Sequence, residues 1–140
     1  LSAAGELWVG SEDGLAYSAD GGMNWHIFRA YEPAGKGESP ATYAYPNPFS
    51  PLRHNRLNSE GAVRFQYHLE EAAEVTVKVF DFGMQLVATV ASREPRTAGD
   101  QAELWTGRND VGEMSANGVY FYRIEISGEE DLWGKVMIVN

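Results

Sequence analysis

GAVRFQYHLE, residues 61–70, alternates without a break: Val63, Phe65, Tyr67 and Leu69 are apolar, and Arg64, Gln66, His68 and Glu70 are polar. Side chains along a strand point to opposite faces in turn, so a period of two predicts a strand with one face in a core and the other toward water. The device recurs downstream. In EVTVKVFDF, residues 74–82, Val75, Val77 and Val79 alternate with Thr76 and Lys78. QLVATVAS (85–92) is a third run, QAELW (101–105) a fourth, and NGVYFYRIEIS (117–127) a fifth that turns Tyr120, Tyr122, Ile124 and Ile126 inward. DLWGKVMIVN (131–140) is a sixth, in which Val136 and Ile138 on one face compete with Trp133, Met137 and Val139 on the other. The alternation leaves open which of these faces is buried.

Upstream of these runs lies YPNPFSP, residues 45–51. Proline has no N–H and holds its predecessor in extended geometry, so Pro46, Pro48 and Pro51 fit a sheet edge and not a sheet interior. Tyr43, Tyr45 and Phe49 supply apolar anchors, and the segment reads as the first edge strand of a domain. With it, about seven short strands occupy about 100 residues, separated by Gly, Asn and Asp clusters and with no helical period. That is the pattern of an immunoglobulin-like β-sandwich, here without a cysteine pair.

Residues 31–42, YEPAGKGESPAT, are rich in glycine, proline and charge and read as a linker. Before it, GELWVG and GLAYS flank Ser11-Glu12-Asp13-Gly14, whose Asp-Gly pair signals a hairpin turn. SADGGMNWHIF follows. Its Ser18, Asp20, Gly22 and Trp25 match S-x-D-x-G-x-x-W and resemble the Asp-box of sialidase-like β-propellers, with Asn24 where threonine is usual. The expected roles are local: Asp20 accepts hydrogen bonds from free N–H groups of the turn, the glycines take positive φ, and Trp25 buries its ring at the start of the next strand. The competing role, Asp20 as a catalytic carboxylate or metal ligand, needs the same carboxylate that the brace consumes. A propeller blade has four strands, so residues 1–30 read as hairpins from part of one blade. The chain begins with Leu1 and reads as the C-terminal piece of a longer protein.

The motifs of residues 43–140 fall in a recognisable order. YPNPFSP, then VTVKVFDFGMQLV, then AGDQAELWTGRNDVGEMSANGVYFYRI, then GKVMIVN resemble the immunoglobulin-like domain of the flagellar hook-capping protein and the similar C-terminal sorting domain of type IX secretion substrates. The combination Asn47-Pro48-Phe49, Trp105-x-Gly107, Asp110-x-Gly112 and Gly118-Val119-Tyr120 carries the resemblance. Thr106 stands where the family usually has aspartate, Asn117 where serine is common, Met84 where a turn glycine is expected, and Asn140 where lysine often closes the chain. Gly83 is expected to take the positive φ in place of Met84. The resemblance implies an exported protein of Bacteroidetes-like bacteria, secreted or on the outer cell surface. It implies recognition by the outer-membrane export machinery through Lys135, Val136, Met137, Ile138 and Val139, and cleavage within residues 31–42. A terminal strand with apolar residues on both faces suits a partner that adds a strand or a pocket. The alternative is that Met137 and Val139 fill the core.

Composition and chemistry agree with a module that is recognised and does not catalyse. The 140 residues carry a net charge of −9, with two basic and six acidic residues up to residue 41 and nine basic and fourteen acidic after it. Neither part has the basic footprint that nucleic acid requires. No apolar run approaches the ~20 residues of a transmembrane helix. Cysteine is absent, which excludes disulfides and thiolate sites and leaves the compartment open. His26, His54 and His68 are scattered outside metal-ligand spacing, and no G-x-S-x-G elbow occurs. Glu70-Glu71 and Glu129-Glu130-Asp131 read as solvated strand ends. Asn109, Asp110 and Glu113 of RNDVGE are the best calcium candidates, weighed against ordinary Asn-Asp-x-Gly turn chemistry. Trp105 reads as core and Trp133 as exposed. No cofactor is expected. Besides the sorting or anchoring module behind an upstream propeller, two other readings stand. One is an accessory carbohydrate or cell-surface binding module, which needs a row of exposed aromatics and finds Trp133 and Tyr31. The other is a scaffold fragment of an Asp-box glycoside hydrolase.

Overall fold

The computed structural model describes residues 5–11, 14–29, 33–35, 39–54, 56–57 and 60–140. Asp13 of the first expected hairpin turn, Tyr31 and part of the 31–42 segment lie outside the described residues. The chain divides into two units, Leu1–Glu32 and Pro33–Asn140.

In the first unit, β1 (Leu7–Ser11), β2 (Gly14–Ser18) and β3 (His26–Arg29) form an antiparallel sheet in that order. The register places Trp8 opposite Tyr17 and Tyr17 opposite His26, with Leu15 opposite Phe28 on the same face. Val9, Ala16 and Ile27 line up on the other. Trp8 and Tyr17 pack with ring centroids 4.3 Å apart. Large apolar side chains are exposed on both faces, among them Trp8 and Phe28 on one and Val9 and Ile27 on the other. Trp25 departs from the sequence expectation. It is 42% exposed and is anchored through its indole N–H, which donates to the Gly22 carbonyl at 3.0 Å.

The second unit contains β4 (Thr42–Tyr45), the short pair β5 (Arg56–Leu57) and β6 (Glu60–Gly61), β7 (Val63–Leu69), β8 (Ala73–Phe80), β9 (Leu86–Arg96), β10 (Gly99–Trp105), β11 (Gly118–Ile126) and β12 (Leu132–Ile138). Two antiparallel sheets, β10-β7-β4 and β12-β11-β8-β9, face each other across one core. The alternation read in the sequence decides which side chains meet there. Val63, Phe65, Tyr67 and Leu69 of β7 are buried with Val75, Val77 and Val79 of β8 and Tyr122, Ile124 and Ile126 of β11. Phe65 bridges the sheets, stacking on Tyr122 at 4.1 Å, with Trp105 6.2 Å from it. Each such apolar side chain stabilises the fold by about 1.5–3 kcal/mol relative to exposure. This is an all-β immunoglobulin-like sandwich with the seven expected strands, plus the β5–β6 pair, among the described residues.

Three local readings are corrected. The outer face of β7 is not uniformly solvated, because Gln66 is 3% exposed: β7 is the middle strand of its sheet, and Tyr43 and Ala102 flank Gln66 from either side. Gly83 does not carry the positive φ of its turn. Met84 does, at 62°, in a type I turn closed by the Met84 N–H on the Asp81 carbonyl, with the left-handed residue completing the bulge. The prolines do more than blunt an edge. β4 ends at Tyr45, the chain passes through Pro46 and Pro48 by two cis bonds, and Phe49 then bridges Ile138 of the opposite sheet in parallel. The stretch from Thr42 to Phe49 thus pairs with one sheet and then the other. Within the 31–42 segment, Pro33 onward belongs to the second unit, and Ala34 is buried there.

Candidate functional site

The polar groups singled out in the sequence are occupied by local structure. Asp20 accepts the Asn24 N–H at 2.8 Å, the Asn24 side-chain amide at 2.7 Å and the Ser18 hydroxyl at 2.8 Å. Those bonds, that from the Asn24 N–H foremost, lower its pKa to about 2. Gly22, at φ 97°, donates its N–H to Ser18 Oγ at 2.9 Å. In the 109–113 loop, Asn109 Oδ1 accepts the N–H of Glu113 at 2.8 Å and that of Val111 at 3.2 Å, and Asp110 Oδ1 accepts the Thr89 N–H at 2.7 Å. These oxygens brace a turn and pin it to β9. Within the second unit, His54 Nδ1 accepts the Ser50 N–H at 3.0 Å and His68 Nδ1 lies 2.7 Å from Asp100, so each imidazole has its own local partner; His26 sits on β3 of the first unit.

One buried charge escaped the sequence reading. In QAELW, alternation puts Ala102 and Leu104 on one face and Glu103 and Trp105 on the other, and it is Glu103 and Trp105 that are buried. Glu103 receives a two-pronged contact from Arg96, Nε at 2.7 Å and Nη2 at 3.1 Å, and accepts the Tyr67 hydroxyl at 3.0 Å. Burial, reinforced by the Glu103 carboxylate, pushes the Tyr67 phenol well above its ordinary range, and hydrogen bonding to Glu103 raises Arg96. The only sequence signal was the acid inside a strand next to tryptophan.

The family motifs have specific mechanical roles. The bare Cα of Gly107, at φ 78°, lets Phe49 and Pro51 lie where a Cβ would stand 2.9 Å from Pro51 and 3.2 Å from Phe49. Trp105 donates its indole N–H to the Arg108 carbonyl at 2.8 Å, which folds the Trp105-x-Gly107 turn back on itself. The Tyr120 hydroxyl likewise ties to the Ala116 carbonyl at 2.8 Å, just before Gly118. Gly112 takes φ 85° in the 109–113 turn.

Asn47 closes the edge of β12: its side-chain N–H donates to the Lys135 carbonyl at 3.1 Å, and its Oδ1 accepts the Met137 N–H at 3.0 Å. Phe49 continues the ladder, donating to the Met137 carbonyl at 2.7 Å and accepting the Val139 N–H at 2.9 Å. A carboxamide has the donor and acceptor of a peptide group, so Asn47 stands in for one more residue of a neighbouring strand. The face of β12 is settled as well. Val136 and Ile138 are in the core, while Trp133, Lys135, Met137 and Val139 point outward and are exposed.

Residues 53–130, more than half of the chain, match the FlgD Ig-like domain family. The chain belongs to that family. The Asn47-Pro48-Phe49 segment and the whole of β12 lie outside the matched range yet complete the FlgD Ig-like domain, since they close its edge. Of the departures, Asn117 has an evident use: its Oδ1 accepts the Asn140 N–H at 2.9 Å and holds the last residue to the start of β11. No curated protein matches the chain. Among solved structures, it is similar to PorZ of Porphyromonas gingivalis, described as an essential bacterial surface component of the type-IX secretion system. The identity there is 20% over 97% of this chain and 15% of the other, with a TM-score of 0.47. It is also similar to dimeric latent PorU from the same organism, at 17% identity over 89% of this chain and 12% of the other, with a TM-score of 0.46. The chain therefore spans less than a fifth of the length of either structure. No helix among the described residues is long and apolar enough to cross a membrane.

Proposed function

We propose that residues 43–140 are a non-catalytic sorting or anchoring module at the C-terminal end of a larger exported bacterial protein, and that residues 1–30 are part of an Asp-box propeller blade of that protein. The module acts by being recognised by outer-membrane export machinery, which places the protein outside the cell or on its outer surface. The observation that carries this reading is the division of labour along β12. Val136 and Ile138 fix the strand in the core while Lys135, Met137 and Val139 stand outside it, available to a partner. The order of the FlgD Ig-like motifs, which resembles that of type IX sorting domains, supports the assignment. So does the commitment of the buried Glu103 to Arg96 and Tyr67, a use of a carboxylate that stabilises and does not react.

The propeller part rests on a different observation. A sheet with apolar side chains exposed on both faces suits a position between two neighbouring sheets, as blades of a propeller have. The test is export. The whole chain, fused behind a signal peptide and a reporter in a bacterium with a type IX route, is expected to carry the reporter to the surface or the medium. Retention of the reporter in the periplasm contradicts the proposal.

A further inference from the structure

In a sandwich of this kind the outer face of a sheet is ordinarily polar, because only the inner face has a core to enter. The sheet β12-β11-β8-β9 departs from that. Its register sets Lys135, Phe121, Phe80 and Leu86 directly opposite one another across four strands. All four lie on the face turned away from the core. Phe82 adds its ring 6.2 Å from Phe121 and is 80% exposed, and Met137 extends the apolar surface along β12. Half-buried Phe80 and Phe121 beside exposed Phe82, Leu86 and Met137, with arginine next to them, have the composition of a protein interface.

The charges on this face decide what fits it. The Arg123 guanidinium lies 5.7 Å from the Phe80 ring centre and 5.5 Å from that of Trp133. It is already paired with Glu125 and Asp131, and Lys78 is paired with Glu125 at 3.2 Å. Lys135, at the end of the apolar row, has no carboxylate partner among the described residues. The strand edge itself is taken by Asn47 and Phe49, so a partner that adds a strand along Lys135–Val139 must first displace them. A second copy of the chain is disfavoured by the net charge of −9. A neutral saccharide has no charge to set against the Lys135 ammonium, whereas a protein surface with a carboxylate does, which favours a protein surface.

We propose that the export machinery holds the domain by this outward face and not by the edge of β12, using an apolar protein surface that carries a carboxylate opposite Lys135. The inference deepens the sorting reading and rests on it. The test uses the full chain in the reporter fusion. The double variant Phe82→Ser/Met137→Ser changes exposed side chains, so its melting temperature should match the wild type while export falls at least tenfold. Lys135→Glu should lower export comparably, and Lys135→Arg should preserve it. Retention of the wild-type fusion overturns the sorting reading and this inference together. Export of the wild type and of both disruptive variants at equal levels overturns the inference alone. Binding of the wild-type chain to cellohexaose, lost in the double variant while export is unchanged, would assign the face to a saccharide and overturn it as well.

Discussion

Gly134 shows how a single residue is held by tertiary reach. A Cβ there would stand 2.2 Å from the Tyr122 ring, which crosses β12 on its way to Thr42 Oγ1, 3.1 Å from its hydroxyl. Because Tyr122 is fully buried and tied at its tip, it cannot swing aside, and Gly134→Ala should destabilise the domain by about 1–3 kcal/mol in chemical denaturation. Met84 should respond in the opposite sense. It holds a left-handed conformation at φ 62° that costs a side chain about 1–2 kcal/mol, so Met84→Gly should raise the midpoint of thermal unfolding. Asp20 gives a pH signature. Its folded pKa of about 2 lies below the ordinary aspartate value, so its contribution is complete above roughly pH 4 and is lost as the pH falls through about 2. A carboxyl carbon titration by NMR should show its midpoint near 2, and a midpoint near 4 would refute the brace. The Asp20 brace could be read from its spacing. The Gly134 requirement could not, because nothing near residue 134 in sequence announces a tyrosine arriving from the neighbouring strand.

At the scale of elements, alternation was a sound guide wherever a strand has one wet face, as in β8 and β11. Facing alone did not give burial: Gln66 stands on the outer face yet is covered because β7 is central, and Glu103, on the Trp105 face, is buried against Arg96 and Tyr67. That pair should behave as a unit. Arg96→Met leaves a buried carboxylate with only Tyr67 and should cost about 2 kcal/mol, since Arg96 is itself partly exposed. Adding Glu103→Leu should recover part of that loss. A double-mutant cycle in urea measures the coupling, and strict additivity would mean the pair stabilises nothing. The proline segment was legible as an edge but not as a crossing between sheets, because its bridge to Ile138 joins residues about 90 apart in sequence.

At the scale of the molecule, strand periodicity and turn chemistry made the immunoglobulin-like sandwich readable before any coordinates. The outward aromatic face was not, because Phe80 and Phe82 belong to one run and Phe121 to another about 40 residues on, and only the register brings them together. β12 is closed along its edge by Asn47 and Phe49 and open on its face, so a partner would meet side chains and not backbone. Amide hydrogen exchange of the full chain tests this most directly. The Met137 and Val139 N–H groups, bonded to Asn47 Oδ1 and the Phe49 carbonyl, should be protected in the wild type, and Asn47→Ala should release Met137 ahead of Val139. Fast exchange of both amides in the wild type would show an open edge and contradict the account.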